Sequence, residues 1–245
     1  MLISYADACS AISGEPLPML YIDTCIFLDI IRSAVRENIN SDSAKFAQSL
    51  IARANSNSRS LWLLTSATVE MEWHENVAGV LEETEREILK LESRRRHFLS
   101  AADAVTSMRY QHGQVESALD LANKLKSVAE TLLQSCAIVI PEDAHLLGAM
   151  NRVKQYFPPA KRGKAEPKDC EIYELFLGLC RDLRTRGVES DFVFLSSNTQ
   201  EYGQKNSGGV QPELTVLGAI YVSNLAWAEV AVNGGHKIVY NKNYF

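Results

Sequence analysis

Short apolar runs alternate with longer polar segments along the chain. Five runs have the length and continuity of strands that are buried on both faces. They are MLYIDTCIFLDII (19–31), LWLLT (61–65), CAIVI (136–140), DFVFLS (191–196) and LGAIYV (217–222). The segments between them have helical spacing, so the pattern predicts an α/β fold in which helices cover both faces of a parallel sheet. Residues 1–18 predict only a polar lead that ends at GEPLP.

The helical segments are unequal in length. Ser66 can cap the helix that follows the second strand. From about 75 to 135, Glu, Lys, Arg and Leu recur at helical spacing, with a break near His112 and Gly113. We therefore expect a single domain over residues 1–245, with a helical hairpin inserted at about 75–135.

The composition is that of an ordinary globular protein, with 46% hydrophobic and 22% charged residues. The formal charge of −5 argues against a protein that coats nucleic acid through bulk electrostatics, but it allows a local basic patch. The five cysteines form no CxxC pair, which favours reduced thiols. The chain shows neither a signal peptide nor an apolar stretch of roughly 20 residues, so we expect a cytoplasmic protein that does not engage membranes.

Three carboxylates stand near the predicted strands. Asp23 interrupts the first strand, Glu70 follows the second, and Asp169 opens an amphipathic helix over 169–187. Because ligands of parallel sheets bind beyond the carboxyl ends of the strands, we expect these acids to converge. Clustered carboxylates suit Mg²⁺ or Mn²⁺, and such ions support phosphodiester hydrolysis by activating water and stabilising the leaving oxygen.

Each acid also has a simpler explanation. Asp23 could be a structural hydrogen-bond acceptor, Asp169 a helix cap, and Glu70 an ordinary acid on a helix surface. Two further acids, Glu171 and Glu174, are displaced around the helix from Asp169. We expect Glu171 to face solvent, whereas Glu174 has the length to reach the site.

Four segments resemble, in order, the motifs of the PIN domain family. YIDTCIFLDII resembles the first-strand motif and TSATVEMEW the second motif. IPEDAHLLGAMNRV with KDCEIYELFL resembles the segment that carries the third acid, and FLSSNTQEYG resembles the last motif. The resemblance covers residues 19–73 and 136–229. The chain is similar to the larger bacterial PIN-like nucleases, which are related to VapC-type toxins, and its helical insertion at about 75–135 is absent from minimal family members.

The resemblance implies an endonuclease that uses one or two Mg²⁺ or Mn²⁺ ions, with Asp23, Glu70 and Asp169 as metal ligands. The last motif has Asn198 where many relatives have an aspartate. We expect Asn198 or the nearby Glu201 to complete the site, directly or through water. RNA is the expected substrate, and family members commonly act as toxins or defence effectors. That role implies an antitoxin or other regulatory partner, and self-association is left open.

A basic loop precedes Asp169 and could hold the nucleic acid. Its cations are Lys161, Arg162, Lys164 and Lys168. The loop ends at a helix N-terminus, which favours phosphate, so we expect these cations and Ser197 to contact the substrate backbone. The alternative is a solvated surface loop.

Other classes of function remain open. A non-catalytic interaction protein with the same fold would be expected to have lost an acid, and the three main acids are present. A nuclease that cuts DNA flaps would share the site and differ in substrate. A phosphatase-like or nucleotide-binding enzyme is disfavoured, because no Gly-rich phosphate loop follows the first strand.

Overall fold

The computed structural model describes residues 1–106, 119–203 and 208–234. The strands are β1 (Leu2–Ser4), β2 (Met19–Ile22), β3 (Trp62–Ser66), β4 (Ala137–Ile140), β5 (Phe192–Leu195) and β6 (Ala219–Val222). They form one sheet in the order β1-β4-β3-β2-β5-β6, in which every neighbouring pair is parallel. The predicted α/β fold is confirmed.

Helices connect the strands in two packed groups. They are α1 (Tyr5–Gly14), α2 (Thr24–Arg32), α3 (Ser43–Asn55), α4 (Ala67–Thr106), α5 (Leu121–Gln134), α6 (Asp143–Gln155), α7 (Pro167–Thr185), α8 (Thr199–Tyr202), α9 (Gln211–Val216) and α10 (Leu225–Ala231). One group contains α2, α3, α4 and α5, and the other contains α1, α6 and α7. In the described ranges, no helix is long and apolar enough to cross a membrane.

The centre of the sheet is formed by β2, which lies between β3 and β5. Each of its four residues, from Met19 to Ile22, is fully buried, and β5 is almost as deeply covered. Burial on both faces explains why these strands read as continuous apolar runs rather than as alternating ones.

The apolar run 19–31 was predicted to form one strand, and this prediction is wrong. The strand ends at Ile22, and Asp23 is the N-cap of α2, with its Oδ1 accepting a 2.7 Å hydrogen bond from the backbone N–H of Thr24. The run continues because α2 is itself buried between the sheet and other helices. A buried helix and a buried strand are both apolar throughout, so periodicity alone did not separate them.

The predicted polar lead over residues 1–18 is also wrong. It contains the edge strand β1, which pairs with β4, and the helix α1. Ser4 caps α1 by accepting a 3.1 Å hydrogen bond from the backbone N–H of Asp7. The buried residues of this helix follow its period: Tyr5, Ala8, Cys9 and Ile12.

The predicted hairpin is built on one long helix. Ser66 accepts a 3.2 Å hydrogen bond from the backbone N–H of Val69, as expected of a cap, and α4 then runs without interruption to Thr106. The helix packs on α2, and α5 packs on both. The segment that begins at about 75 is therefore continuous with the helix that carries the second motif. The predicted break near His112 and Gly113 lies outside the described residues.

Arg184 of α7 binds the loops that lead into β5 and β6. Its guanidinium donates to the backbone oxygens of Val188 (2.6 Å) and Ser190 (3.0 Å) before β5. It also donates to those of Leu217 (2.9 Å) and Gly218 (3.0 Å) before β6. One side chain thus satisfies four carbonyl groups and fixes the entry of two neighbouring strands.

We predict that Arg184→Met lowers the free energy of unfolding by about 3 kcal/mol, because the four carbonyls lose a charged donor. Urea unfolding followed by circular dichroism measures the change. Arg181→Met is the matched control, since Arg181 lies on the same helix, is half exposed and forms only long ion pairs with Glu174 and Glu213. Equal losses in the two variants would contradict the proposed role of Arg184.

Candidate functional site

Asp23 lies where β2 and β5 end side by side, and only 3% of it is exposed. Its backbone N–H donates to the Leu195 oxygen at 3.0 Å, which continues the strand pairing by one residue. Both carboxylate oxygens accept hydrogen bonds. Thr24 N–H donates to Oδ1, while the Ser196 hydroxyl (2.6 Å) and the Cys25 thiol (3.3 Å) donate to Oδ2.

Burial raises the pKa of Asp23, and the hydrogen bonds from Ser196, Cys25 and Thr24 offset only part of that rise. The carboxylate is therefore held in a fixed orientation but remains short of positive charge. A structural acceptor would need no more than these bonds; a cation would relieve the remaining cost.

Asp169 lies in the first turn of α7 and comes close to Asp23. Its Oδ2 accepts a 3.3 Å hydrogen bond from the Asn198 side-chain amide. Burial, followed by the negative charge of Asp23, raises the pKa of Asp169 to about 8. The residue at the cap position of α7 is Glu166, so Asp169 does not serve as the N-cap of this helix.

The acid of α4 that lies beside Asp23 is Glu72, which was not predicted, and the role of Glu70 as a metal ligand stays a prediction. Glu72 Oε2 accepts a 2.5 Å hydrogen bond from the Thr24 hydroxyl, next to Asp23. Burial and then the charge of Asp23 raise the pKa of Glu72, which in turn contributes to the raised pKa of Asp169. Glu70 precedes Glu72 by two residues, or about 200° around the helix, and therefore points to another side.

The apolar pattern alone did not distinguish Glu72 from Glu70. Val69 and Trp73 are the buried apolar residues of this part of α4, and their spacing of four marks the face that packs inward. Glu70 and Glu72 each lie about 80° from the centre of that face, on opposite sides, so only the contact between Glu72 and Thr24 separates them.

Glu201 is close to Asp169 but is bound by the basic loop. Its side chain has no exposed surface and forms ion pairs with Lys164 (2.5 Å) and Lys161 (3.3 Å). Burial raises the pKa of Glu201, but the hydrogen bonds from the two lysines outweigh it and lower the pKa overall. In this structure Glu201 therefore carries a compensated charge, in contrast to Asp169.

The remaining cations of the loop lie near α4 or at the surface. Lys168 forms ion pairs with Glu75 (3.0 Å) and Glu72 (3.8 Å), and Arg162 is exposed. Contact between this loop and a substrate stays a prediction, and the structure shows that its three lysines already have partners within the chain.

Ser197 has a partner within the chain, and the predictions for two further acids are wrong, while contact between Ser197 and a substrate stays a prediction. The Ser197 hydroxyl donates to Asp29 Oδ2 at 2.5 Å, one residue away from the serine that binds Asp23. Glu171 does not face solvent but accepts a hydrogen bond from Thr68 of α4. Glu174 does not reach the acidic site, since it pairs with Arg152.

The donors near Asp23 suit a hard divalent cation in kind. They are the carboxylates of Asp23, Glu72 and Asp169 with the amide of Asn198, and these oxygens are the ligands that Mg²⁺ and Mn²⁺ prefer. Within the described ranges, no three His, Cys, Asp or Glu side chains form a ready ligand set. The acids are nevertheless close enough to raise one another's pKa values. Binding of a metal ion would have to draw them closer together.

The sequence model of the PIN domain matches residues 20–202, which include every element of this site. The chain belongs to the PIN domain family. No curated protein and no solved structure matches it significantly. PIN domains are generally nucleases that bind nucleic acid and typically use divalent metals, so a nuclease-type fold is established here. In this PIN domain, the first, second and third motifs place Asp23, Glu72 and Asp169 near one another.

We predict that metal-free protein loses stability between about pH 4 and pH 8 through Asp169. Its folded pKa of about 8 exceeds the unfolded value of about 3.9, so the native state retains a proton that the unfolded state releases. The free energy of unfolding contributed by this group therefore falls as the pH rises through this window. Asp169→Asn removes this pH dependence. The free energy of unfolding of the variant, relative to that of the unaltered protein, should therefore increase by about 3 kcal/mol from pH 5 to pH 8.

Chemical unfolding in the presence of a chelator, repeated along the pH range, measures this gain. Asp143→Asn is the control, because Asp143 is an exposed carboxylate on α6. A pH profile of Asp169→Asn that runs parallel to that of the unaltered protein would contradict the prediction.

Proposed function

We propose that this PIN domain is a metal-dependent endonuclease that hydrolyses phosphodiester bonds in RNA. The observation that carries the proposal is the pair of Asp23, which follows the central strand β2, and Asp169, in the first turn of α7, two buried acids whose charges are not balanced. Asp23, Glu72 and Asp169, with Asn198, would hold one or two Mg²⁺ or Mn²⁺ ions. Such ions activate water and stabilise charge on the leaving oxygen when bound.

The surrounding residues fix the acids before substrate arrives. Ser196 and Thr24 orient the two oxygens of Asp23, and the Thr24 hydroxyl also holds Glu72. Asn198 orients Asp169 from the end of β5, and its backbone N–H donates to the Ser196 hydroxyl at 3.2 Å. This connected arrangement orients the carboxylates, and metal binding would draw them together into a ligand set.

The substrate and the biological role extend the same proposal. An RNA strand would follow the basic loop, whose lysines 161 and 164 are each about half exposed (49%) while they pair with Glu201. Activity as a toxin or defence effector, restrained by an antitoxin or other regulatory partner, is supported by the resemblance of the motifs. A DNA flap is the alternative substrate, and a non-catalytic role is disfavoured because the acids are retained and brought together.

We predict that Asp23→Asn, Asp169→Asn and Glu72→Gln each reduce metal-dependent cleavage by about a hundredfold or more, because each removes a charge that would hold the ion. Cleavage of end-labelled single-stranded RNA, single-stranded DNA and a DNA flap with Mg²⁺ or Mn²⁺ measures the effect.

Glu70→Gln is the matched control and should stay within about threefold of the unaltered protein, since its side chain lies on another side of the same helix. Loss of activity in Glu70→Gln but not in Glu72→Gln would show that the second acid has been misplaced. Undiminished cleavage by Asp23→Asn would contradict the nuclease proposal itself.

Metal binding has a readout that does not require turnover. We predict that Mn²⁺ at about one hundred times its dissociation constant stabilises the unaltered protein by about 2.7 kcal/mol, because it binds only the folded state. Thermal melting with and without Mn²⁺, followed by chelation, measures the shift. Asp169→Asn should lose most of it and Glu70→Gln should keep it; equal shifts in both variants would place the metal elsewhere.

The basic loop has a separate test. We predict that replacing Lys161, Arg162 and Lys164 with Ala reduces the slope of log affinity against log salt by roughly 0.7 per lost contact with a single strand. The control replaces the exposed Arg94, Arg95 and Arg96 of α4 with Ala, which removes the same charge. Equal slopes in the two triple variants would exclude the loop as the contact surface.

A further inference from the structure

A polar cavity of about 640 Å³ adjoins the acidic site at the carboxyl ends of β5 and β6. Ile26 of α2, three residues after Asp23, forms part of its wall, and so does Ser197, which adjoins Asn198. The mechanism proposed above uses none of its polar side chains. They come from four separate places in the chain: α2, the loop that leads from it into α3, the segment after β5, and the start of α10.

The cavity combines one aromatic ring with several hydrogen-bonding groups. Trp227 of α10 lines it and is 37% exposed, so part of the ring surface is accessible. Asn38, Asn224 and Ser223 supply side chains that can donate and accept hydrogen bonds. An accessible indole beside amide groups is the combination that recognises an unpaired base, through stacking and contacts with the base edge.

The charges of the cavity decide which part of a nucleotide enters. Asp29 lies on the cavity wall and accepts a hydrogen bond from the Ser197 hydroxyl. A phosphate inside the cavity would therefore be repelled by the carboxylate of Asp29. Arg36 also lines the cavity and forms a 3.0 Å pair with Glu83, in which both side chains are more than 40% exposed. Exposed pairs of this kind are weak, so the guanidinium can exchange Glu83 for a phosphate of the strand.

The volume of the cavity is also large enough for a nucleoside. Pockets for small organic ligands span roughly 300–1,000 Å³, and a single nucleoside fills only part of the cavity found here. We propose that this cavity binds the unpaired base of one substrate nucleotide close to the scissile phosphate, with the base stacked on Trp227 and the adjoining phosphate near Arg36. The inference rests on the proposed function for the identity of the strand and assigns the protein a base-binding subsite.

A scan with abasic oligonucleotides tests the proposal. Single-stranded RNA with one cleavage site is prepared as a series in which each nucleotide around that site lacks its base in turn. One position should show KM raised by about tenfold, the scale expected for the loss of one stacked base. Trp227→Ala should raise KM by a similar factor on intact RNA and add little on the RNA that lacks that base, because the two changes remove the same contact.

Two further variants separate stacking from folding. Trp227→Phe keeps an aromatic face and should recover most of the affinity. Val230→Ala is the matched control, since Val230 is an exposed apolar residue on the same short helix outside the cavity wall. Losses that are additive at every abasic position, or equal losses in Trp227→Ala and Val230→Ala, would overturn the inference.

The base subsite can still be tested if the protein cleaves none of these oligonucleotides. The same oligonucleotides are then tested for binding by fluorescence anisotropy with the unaltered protein and Trp227→Ala. A position-specific loss that depends on Trp227 would support the base subsite while the nuclease proposal fails. Cleavage of RNA at an unchanged KM in Trp227→Ala would do the reverse.

Discussion

The burial of Asp23 at the end of the central strand constrains much of the surrounding structure. A carboxylate in this position costs free energy unless donors surround it, and here the donors come from α2 and from the segment after β5. Parallel pairing of β2 with β5 places Ser196 next to Asp23, because each residue directly follows its strand. The same residue also accepts from the backbone of Asn198, which holds Asp169. The strand register and the acidic site are therefore fixed by the same contacts.

The acids near Asp23 differ in whether a neighbouring cation compensates their charge. Glu201 is fully covered, yet Lys161 and Lys164 neutralise it and keep its pKa low. Asp169 has only an amide as its side-chain partner, and neighbouring negative charge raises its pKa. A fold that can compensate one carboxylate with two lysines leaves another uncompensated a short distance away. That difference supports the proposed role of Asp169, rather than Glu201, in holding a cation.

The sequence was informative where a single physical cause determined the pattern. Continuous apolar runs marked β3 and β5 because those strands are covered on both faces, and an acid inside such a run drew attention to Asp23. The end of β2 was missed because α2 is as deeply buried as the strand before it. Glu70 was predicted and Glu72 was not weighed, because motif order locates a helix but does not say which of its acids lies beside Asp23, which depends on the contact with Thr24. The pairing of Glu201 with the loop depends on contacts between distant segments, which no local pattern contains.

The continuity of α4 has a mechanical consequence. From Glu72 to Thr106 the helix has no interruption, which at 1.5 Å per residue corresponds to about 50 Å. Its inner end shares a hydrogen bond with Thr24 at the acidic site, and its outer part extends past Ile88, the last buried residue of the helix. The helix therefore sets a fixed span between the acidic site and its outer arm, which extends about 27 Å beyond Ile88.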